Sequence, residues 1–244
     1  MEFKKIMFRA YQQAQEVIGA TEKTEYDIEY QEIDNQVTQM KLWSDKIKQS
    51  IEQWLDPNPA SRIEDKVLTS FDREKPNRQT PLEVLAGVYI AAAANLGKDD
   101  KYCTYLSSYG KALQKISVEE KNFHKVLQDN FIKKLNEFLD VDYKLMLNEK
   151  KALETVRIDY DTLRNRIAKL DAENPSRQTL EQEKELLKTA FDKQMEKTKL
   201  VLKTVESVLT ELQESLLETM KGHGAFFTAA SKSMTEACGE DKPE

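Results

Sequence analysis

Cysteine and long apolar runs are scarce in this chain of 244 residues, and each scarcity excludes a class of protein. The two cysteines, Cys103 and Cys238, are too few for a disulfide framework and lack the spacing of metal ligands, so we expect free thiols. No run approaches the roughly 18 apolar residues that a membrane-spanning helix requires, and the N-terminus lacks the apolar core of a signal peptide. We therefore expect a cytoplasmic protein.

Glycine and proline, which interrupt helices, are also few, with seven and six residues respectively. Proline is absent from positions 82–174 and again from 176–242, so helix is permitted over both ranges. Charged residues make up 33% and apolar residues 39% of the chain, a mixture typical of long helices and coiled coils. The composition therefore favours an all-α protein.

Apolar residues recur at steps of three and four along three long stretches, as they do on one face of a helix. The spacing predicts helices over about 21–55, 101–171 and 176–233, the last with a capping box at Thr179 and Gln182. A helix of about 70 residues is roughly 100 Å long, so we expect a rod. A repeat of about 3.5 residues predicts an antiparallel coiled-coil bundle, and dimerisation would cover the apolar surface left at one end.

The first 20 residues form a separate amphipathic segment. Apolar residues share one helical face and basic residues lie beside it, an arrangement that lets a helix lie in the membrane interface. A helix that docks against the core is the alternative, since such patterns are common in soluble helices. The residues predicted to insert are Phe3, Ile6 and Met7, and those predicted to bind lipid are Lys4, Lys5 and Arg9.

The stretch 56–81 holds four of the six prolines and separates the first long helix from the rest as an insert. Within it, apolar residues fall on one face of a short amphipathic helix that basic residues flank. Two roles stay open for this insert: a membrane wedge, or a helix that covers the core of a dimer. Its candidate inserting residues are Ile63, Val67 and Phe71, and its candidate lipid-binding residues are Arg73, Lys75 and Arg78.

Basic residues also gather where the second and third long helices meet, at the predicted tip of the bundle. They stand among acidic residues such as Asp159, Asp161 and Asp171, so the local charge is close to neutral. A face for an anionic membrane is one role for this set, and a solvated face with ordinary ion pairs is the other. The candidate lipid-binding residues here are Lys150, Lys151, Arg157, Arg164, Arg166, Lys169 and Arg177.

Catalytic chemistry finds no support in the sequence. His124 and His223 lie far apart, and neither has a nearby cysteine or spaced carboxylates that would indicate zinc. The glycines form no phosphate-binding loop, and the net charge of −6 argues against nucleic acid as the main partner. We therefore expect no enzyme activity, no catalytic or metal site and no cofactor.

Two segments resemble the endophilin family. Leu55–Arg62, which reads LDPNPASR, is similar to the family's Q-P-N-P-A-S-R signature. Leu153–Arg166, which reads LETVRIDYDTLRNR, is similar to its L-x-x-x-R-L-D-x-D-x-x-K-x-R segment. Glu22–Glu25 and Phe71–Arg78 are most similar to the endophilin-B branch. Endophilins carry a Src-homology-3 domain after this region, and we expect none within this chain.

The resemblance implies a BAR fold, in which a homodimeric six-helix crescent approaches anionic lipid with its concave face and tips. We divide the chain accordingly into an amphipathic segment (1–20), a BAR domain (21–236) and a polar tail (237–244). The implied function is a peripheral membrane protein that binds anionic membranes and senses or generates curvature in trafficking or remodelling. The alternative is a helical dimeric scaffold that binds a trafficking protein or small GTPase, with weak or no direct lipid binding.

Overall fold

The computed structural model describes residues 2–17, 19, 21–71, 73, 76, 78–97 and 100–239. Its helices are α1 (Glu2–Val17), α2 (Ile28–Leu55), α3 (Pro59–Ser70), α4 (Pro81–Leu96), α5 (Lys101–Leu127), α6 (Lys133–Glu137), α7 (Tyr143–Ala168), α8 (Arg177–Lys203) and α9 (Val205–Gly239). No strand occurs among these residues, and the helices are long and packed together. The predicted all-α class is confirmed.

The chain forms two compact units, and the first combines Met1–Asp45 with Glu137–Leu209. α7 and α8 pack along each other in this unit, as expected of neighbours joined by a short connection. Its core includes Met146, Leu153 and Leu202, whose side chains are fully buried. α1 also lies against α7, so the N-terminal helix is part of this unit.

The second unit combines Lys46–Asn136 with Thr210–Glu244. α4 and α5 pack closely in it, because a Cβ atom on Gly110 would lie only 2.8 Å from the Ile90 Cγ1 atom. The absence of a side chain at Gly110 is thus required by the approach of the two helices. One buried cluster consists of Phe123, Leu127, Phe131 and Leu135, with Ile51, Leu55, Leu212 and Phe226 packed against it.

The prediction from periodicity omits α4, although its first turn carries a readable signal. The Thr80 hydroxyl accepts a hydrogen bond from the Glu83 backbone N–H, the Glu83 carboxylate accepts one from the Thr80 N–H, and Pro81 occupies the first turn. The helix itself is alanine-rich and apolar on most sides. No apolar stripe therefore stands out along it.

The predicted second helix, 101–171, is interrupted by π-helical turns at Gln128–Ile132 and Phe138–Asp142. Buried residues from Phe123 to Leu135 follow one another at steps of four, more than the roughly 3.6 residues of an α-helical turn. A π turn holds an extra residue, and it keeps such a series on one face. The steps of four thus account for the first interruption.

Two helix boundaries differ from the prediction. α2 begins at Ile28 and not near residue 21, because the preceding residues bond to side chains of α7 and do not form a helix. The third predicted helix is divided at Thr204 into α8 and α9.

The predicted capping box at Thr179 and Gln182 is wrong. α8 begins earlier, at Arg177, so both residues lie inside the helix. The residue before it, Ser176, makes no side-chain cap, and its backbone N–H donates instead to the Asn174 side chain at 3.0 Å. Of the predicted polar tail, 240–244 lies outside the described residues.

Candidate functional site

α1 is fastened to α7 by an ion pair near the middle of α1. The Arg9 guanidinium donates two hydrogen bonds to the Asp159 carboxylate, from Nε to Oδ1 and from Nη2 to Oδ2, both at 2.7 Å. Such two-point pairs are stronger than single hydrogen bonds between neutral groups. The bond to Asp159 is the main reason that the pKa of Arg9 is raised. Arg9, a predicted lipid contact, is therefore bound to α7.

A second arginine, Arg157 of α7, lies at the centre of a buried network, with 0% of its surface exposed. It donates to Glu16 of α1 at 3.0 and 2.8 Å, to Glu154 at 2.9 and 2.7 Å, and to Asp161 at 2.6 Å. These contacts use all five N–H donors of the guanidinium. The prediction that Arg157 binds lipid is therefore corrected: it is a buried partner of α1.

The network shifts the pKa values of its members. The Arg157 bond holds the pKa of Glu154 down, at about 2. Burial raises the pKa of Glu16, but hydrogen bonds from Arg157 and Gln12 outweigh it and the net shift is downward. Burial lowers the pKa of Arg157, and its bonds to both carboxylates outweigh that effect and raise it. All three groups are therefore charged at neutral pH.

The segment between α1 and α2 bonds to the same stretch of α7. Thr24 donates to the Asp161 carboxylate from its backbone nitrogen at 3.0 Å and from its hydroxyl at 2.5 Å. Arg164 donates to the Thr24 hydroxyl at 3.0 Å and to the Glu22 carbonyl oxygen at 2.6 Å. Arg164, also a predicted lipid contact, is thus engaged with the protein's own N-terminal segment.

The rest of the α1 surface carries apolar side chains that stay exposed. Met7 is 60% exposed, and Ile6, Phe8 and Tyr11 are each more than half exposed. The predicted inserting residues Ile6 and Met7 therefore lie at the surface. The side chains of three further candidates lie outside the described part of the structure: Phe3, Lys4 and Lys5.

A cleft of about 910 Å³ opens between α1, α2 and α7. Lys150 lies in its wall and forms an ion pair with Asp34 of α2, while Lys151 beside it is exposed. Glu154 and the paired Arg9 also line the cleft. Its charges are balanced locally, so it is not a cationic pocket for a phosphate.

The predicted amphipathic helix of the insert is present as α3, and the LDPNPASR segment explains its start. The Asn58 side chain accepts a hydrogen bond from the Ala60 N–H at 3.0 Å, and Pro59 occupies the first turn. The Ser61 hydroxyl donates to the Asp56 carboxylate at 2.5 Å and is the main reason that the pKa of Asp56 is lowered. This resembling segment therefore forms a helix cap.

The apolar candidates of the insert all lie at the surface. Ile63 is 64% exposed, Phe71 is 71% exposed, and Val67 is half exposed. Ile63 and Val67 are four residues apart on α3, so they share one face of the helix. The exposed face is therefore available to a membrane or to a partner.

The basic candidates of the insert are placed differently from one another. Arg78 donates to Glu64 at 2.6 Å and to Asp65 at 2.7 Å, so it fastens the end of the insert to α3. Arg73 is exposed, and Lys75 lies outside the described residues. Arg78 thus stabilises the insert.

The remaining tip candidates lie in and directly beside the connection between α7 and α8. Arg166 and Lys169 are exposed, whereas Arg177 donates to the Leu170 carbonyl oxygen at 3.0 Å and closes the connection. Asp171 is exposed beside them. The surface here is mixed in charge.

The two histidines lie in an aromatic cluster of the second unit. The His223 ring stacks on Phe123 at 4.3 Å and on Phe227 at 4.5 Å between ring centres. The ring centres of Trp54 and His124 are 5.7 Å apart. Burial lowers the pKa of His124. Within the described residues no three metal-ligating side chains come together. Both histidines contribute to packing.

The comparison with known proteins now decides the family, because the model of the BAR domain matches residues 3–240. The chain belongs to the BAR-domain family. Endophilin-B1 of Homo sapiens is 32% identical over 199 residues, which cover 82% of this BAR-domain chain and 54% of the relative. Endophilin-B1 of Gallus gallus is 28% identical over 228 residues, with 93% and 62% covered. Endophilin-B2 of Homo sapiens is 27% identical over 256 residues, with 93% and 65% covered.

These matches confirm the predicted resemblance to endophilin B. The chain spans about half the length of the mammalian endophilin-B1 proteins that it matches. The family is one of membrane-remodelling proteins and not of enzymes. No helix in the described part of the chain is long and apolar enough to cross a membrane.

The basic candidates that the structure describes fall into two groups. Exposed members are Arg73, Lys151, Arg166 and Lys169. Members bound to the protein's own acidic or backbone groups are Arg9, Arg78, Lys150, Arg157, Arg164 and Arg177. The sequence carried a signal for Arg157, since Glu154 and Asp161 stand three residues before and four after it on one helix face. Its partner Glu16, 141 residues away, left no such signal.

Proposed function

We propose that the chain is a cytoplasmic peripheral membrane protein, a BAR dimer that binds anionic membranes and senses or generates their curvature. The observation that carries this proposal is the orientation of α1 and α3. Both helices hold polar residues against their own unit and leave apolar residues exposed. Exposed apolar faces indicate a surface for a membrane or a partner, and the family favours a membrane.

Apolar insertion supplies most of the proposed binding energy. Burying one large apolar side chain contributes about 1.5–3 kcal/mol, and α1 and α3 each offer several. A basic residue near an anionic leaflet contributes about 1 kcal/mol, and six of the ten basic candidates that the structure describes are already bound within the protein. Because salt screens only the electrostatic part, vesicle binding should weaken with salt without disappearing.

The proposed dimer uses apolar surface of the second unit. Large side chains of α4, α5 and α9 stay exposed in the single chain, and soluble proteins usually cover surfaces of this kind by association. These residues are Val84, Leu85, Val88, Leu96, Tyr102, Leu216, Leu217, Met220 and Phe227. Sedimentation equilibrium should show a dimer, and a monomer at micromolar concentration would contradict this part of the proposal.

Co-sedimentation with anionic vesicles tests the membrane function. Ile63→Asp places a charge on the exposed face of α3, Phe71→Asp places one directly after its last residue, and each should reduce the pelleted fraction strongly. Leu186→Asp is the matched control, because Leu186 is 73% exposed on α8, outside both amphipathic helices. It should pellet like the unmodified protein. Equal pelleting of all three variants would exclude α3 as a membrane contact.

If the chain does not bind vesicles, the alternative function is a scaffold that binds another protein. This alternative is supported by the acidic partners that six of the ten described basic candidates already have within the protein. Retention of a small GTPase or trafficking protein on immobilised chain without lipid, together with no pelleting at low salt, would replace the membrane proposal with this one.

A further inference from the structure

α1 has two distinct faces, and the contacts determine which one is docked. Polar residues at steps of three and four form the face turned to the rest of the first unit: Arg9, Gln12 and Glu16. Gln12 is buried and donates to the Glu16 carboxylate at 2.9 Å. Met7, Tyr11 and Ala14 follow the same spacing on the opposite side, and all three are exposed. The helix is thus docked by its polar face.

The docked face is held at two points, two helical turns apart. Arg9 contributes the two-point pair with Asp159. Glu16 accepts two of the five hydrogen bonds of Arg157, whose side chain has no contact with solvent. Departure of α1 would leave a buried cation with part of its hydrogen bonding lost, which is unfavourable. The contacts therefore resist undocking.

We propose that α1 enters the membrane while it stays docked on α7, as a fixed wedge with its apolar face outward. Arg157 and Arg9 are then positioning residues for the wedge and not lipid contacts. This inference rests on the membrane function proposed above and adds the way in which the helix is held. An isolated helix of 16 residues is marginal in water, so a detached α1 would have to fold on the bilayer. Docking removes that step.

Reversal of one charge separates this inference from direct attraction of Arg9 to lipid. Asp159→Arg makes the surface more basic, so attraction by charge alone predicts tighter binding to anionic vesicles. The docked wedge predicts the opposite, a loss of vesicle affinity of at least about tenfold, because folding on binding weakens affinity. Asp171→Arg is the control, since Asp171 is an exposed acid in the connection that follows α7, and this change should strengthen binding slightly.

Exchange of the two charges supplies the rescue. Arg9→Glu alone should lower vesicle affinity as Asp159→Arg does. The double variant, with both changes, re-forms the pair in reverse and should restore the affinity of the unmodified protein. It carries no cation at position 9, so a lipid-contacting Arg9 could not explain the recovery. A double variant that binds as weakly as Arg9→Glu would overturn the docked wedge.

A covalent link tests directly whether α1 must leave. Arg9→Cys and Asp159→Cys, in a protein with Cys103→Ala and Cys238→Ser, are joined by a short bismaleimide. Linkage should raise vesicle affinity back to that of the unmodified protein, because it replaces the lost ion pair. Loss of binding on linkage would overturn docked insertion and leave the membrane function standing. Failure of the unmodified protein to bind vesicles would instead overturn the membrane function, and the wedge with it.

Discussion

α1 and α3 are both short amphipathic helices with an exposed apolar face, yet they are held in different ways. α1 is held by the two-point pair of Arg9 with Asp159 and, through Glu16, by a fully buried arginine, Arg157. α3 is held by its cap at Asn58 and by partly exposed pairs of Arg78. Removing a partner from a buried charge costs far more than removing one from an exposed pair. The comparison teaches that α1 depends on two ion pairs, one of them fully buried, whereas α3 should tolerate the loss of any one contact.

Arg157→Met should give the largest effect. It leaves the carboxylates of Glu16, Glu154 and Asp161 together without their cation, so the free energy of unfolding should fall by about 3–5 kcal/mol. Denaturant unfolding measures it. Arg166→Met is the control, because Arg166 is exposed on the same helix and should change stability by no more than about 0.5 kcal/mol. Equal losses of stability for both variants would show that the buried position of Arg157 gives it no special role in holding α1.

Acid should undo the same network. Glutamates titrate at about 4.3 in unfolded chains, whereas the pKa of Glu154 is held at about 2 and that of Glu16 is also lowered. A lowered carboxyl pKa stabilises the folded state fully above the unfolded value, and this contribution is lost as pH falls through the folded value. Stability from the network should therefore decline between about pH 4 and about pH 2.

Unfolding measured at a series of pH values should show this decline in the unmodified protein. Arg157→Met should lack most of it, because the carboxylates then lose the hydrogen bonds that lower their pKa. An unchanged pH profile in that variant would show that other carboxylates are responsible.

Asn58→Ala should have a smaller effect, confined to the insert. The loss of a helix cap costs about 1 kcal/mol, and the hydrogen bond between Asp56 and Ser61 still holds the start of α3. Gln49→Ala, exposed within α2, is the control and should stay within about 0.5 kcal/mol. Circular dichroism during thermal unfolding measures both.

Arg78→Met should have the smallest effect. Its pairs with Glu64 and Asp65 are partly exposed, so unfolding should become only slightly easier. Vesicle affinity should also change little, since this arginine serves the insert. A stability loss as large as that of Arg157→Met would contradict the comparison between the two helices.

The long helices were predictable because their apolar residues repeat locally, and the insert helix because prolines and one apolar face mark it. The roles of the basic residues were not predictable, because the partners lie far apart in sequence. Arg9 meets Asp159 across 150 residues and Arg157 meets Glu16 across 141. In the sequence, a basic residue beside an apolar face indicates membrane binding. The pattern is the same when the folded chain pairs that residue with an acidic side chain. Only the three-dimensional contacts separate the two cases.

Vesicle binding measured against salt concentration tests the central claim most directly. The account predicts that the chain pellets with anionic vesicles at low salt. A clear fraction should remain bound at high salt, because insertion of the apolar faces of α1 and α3 is not screened. Binding that vanishes at high salt would show that charge, and not apolar insertion, holds the protein on the membrane. No pelleting even at low salt would contradict the membrane function itself.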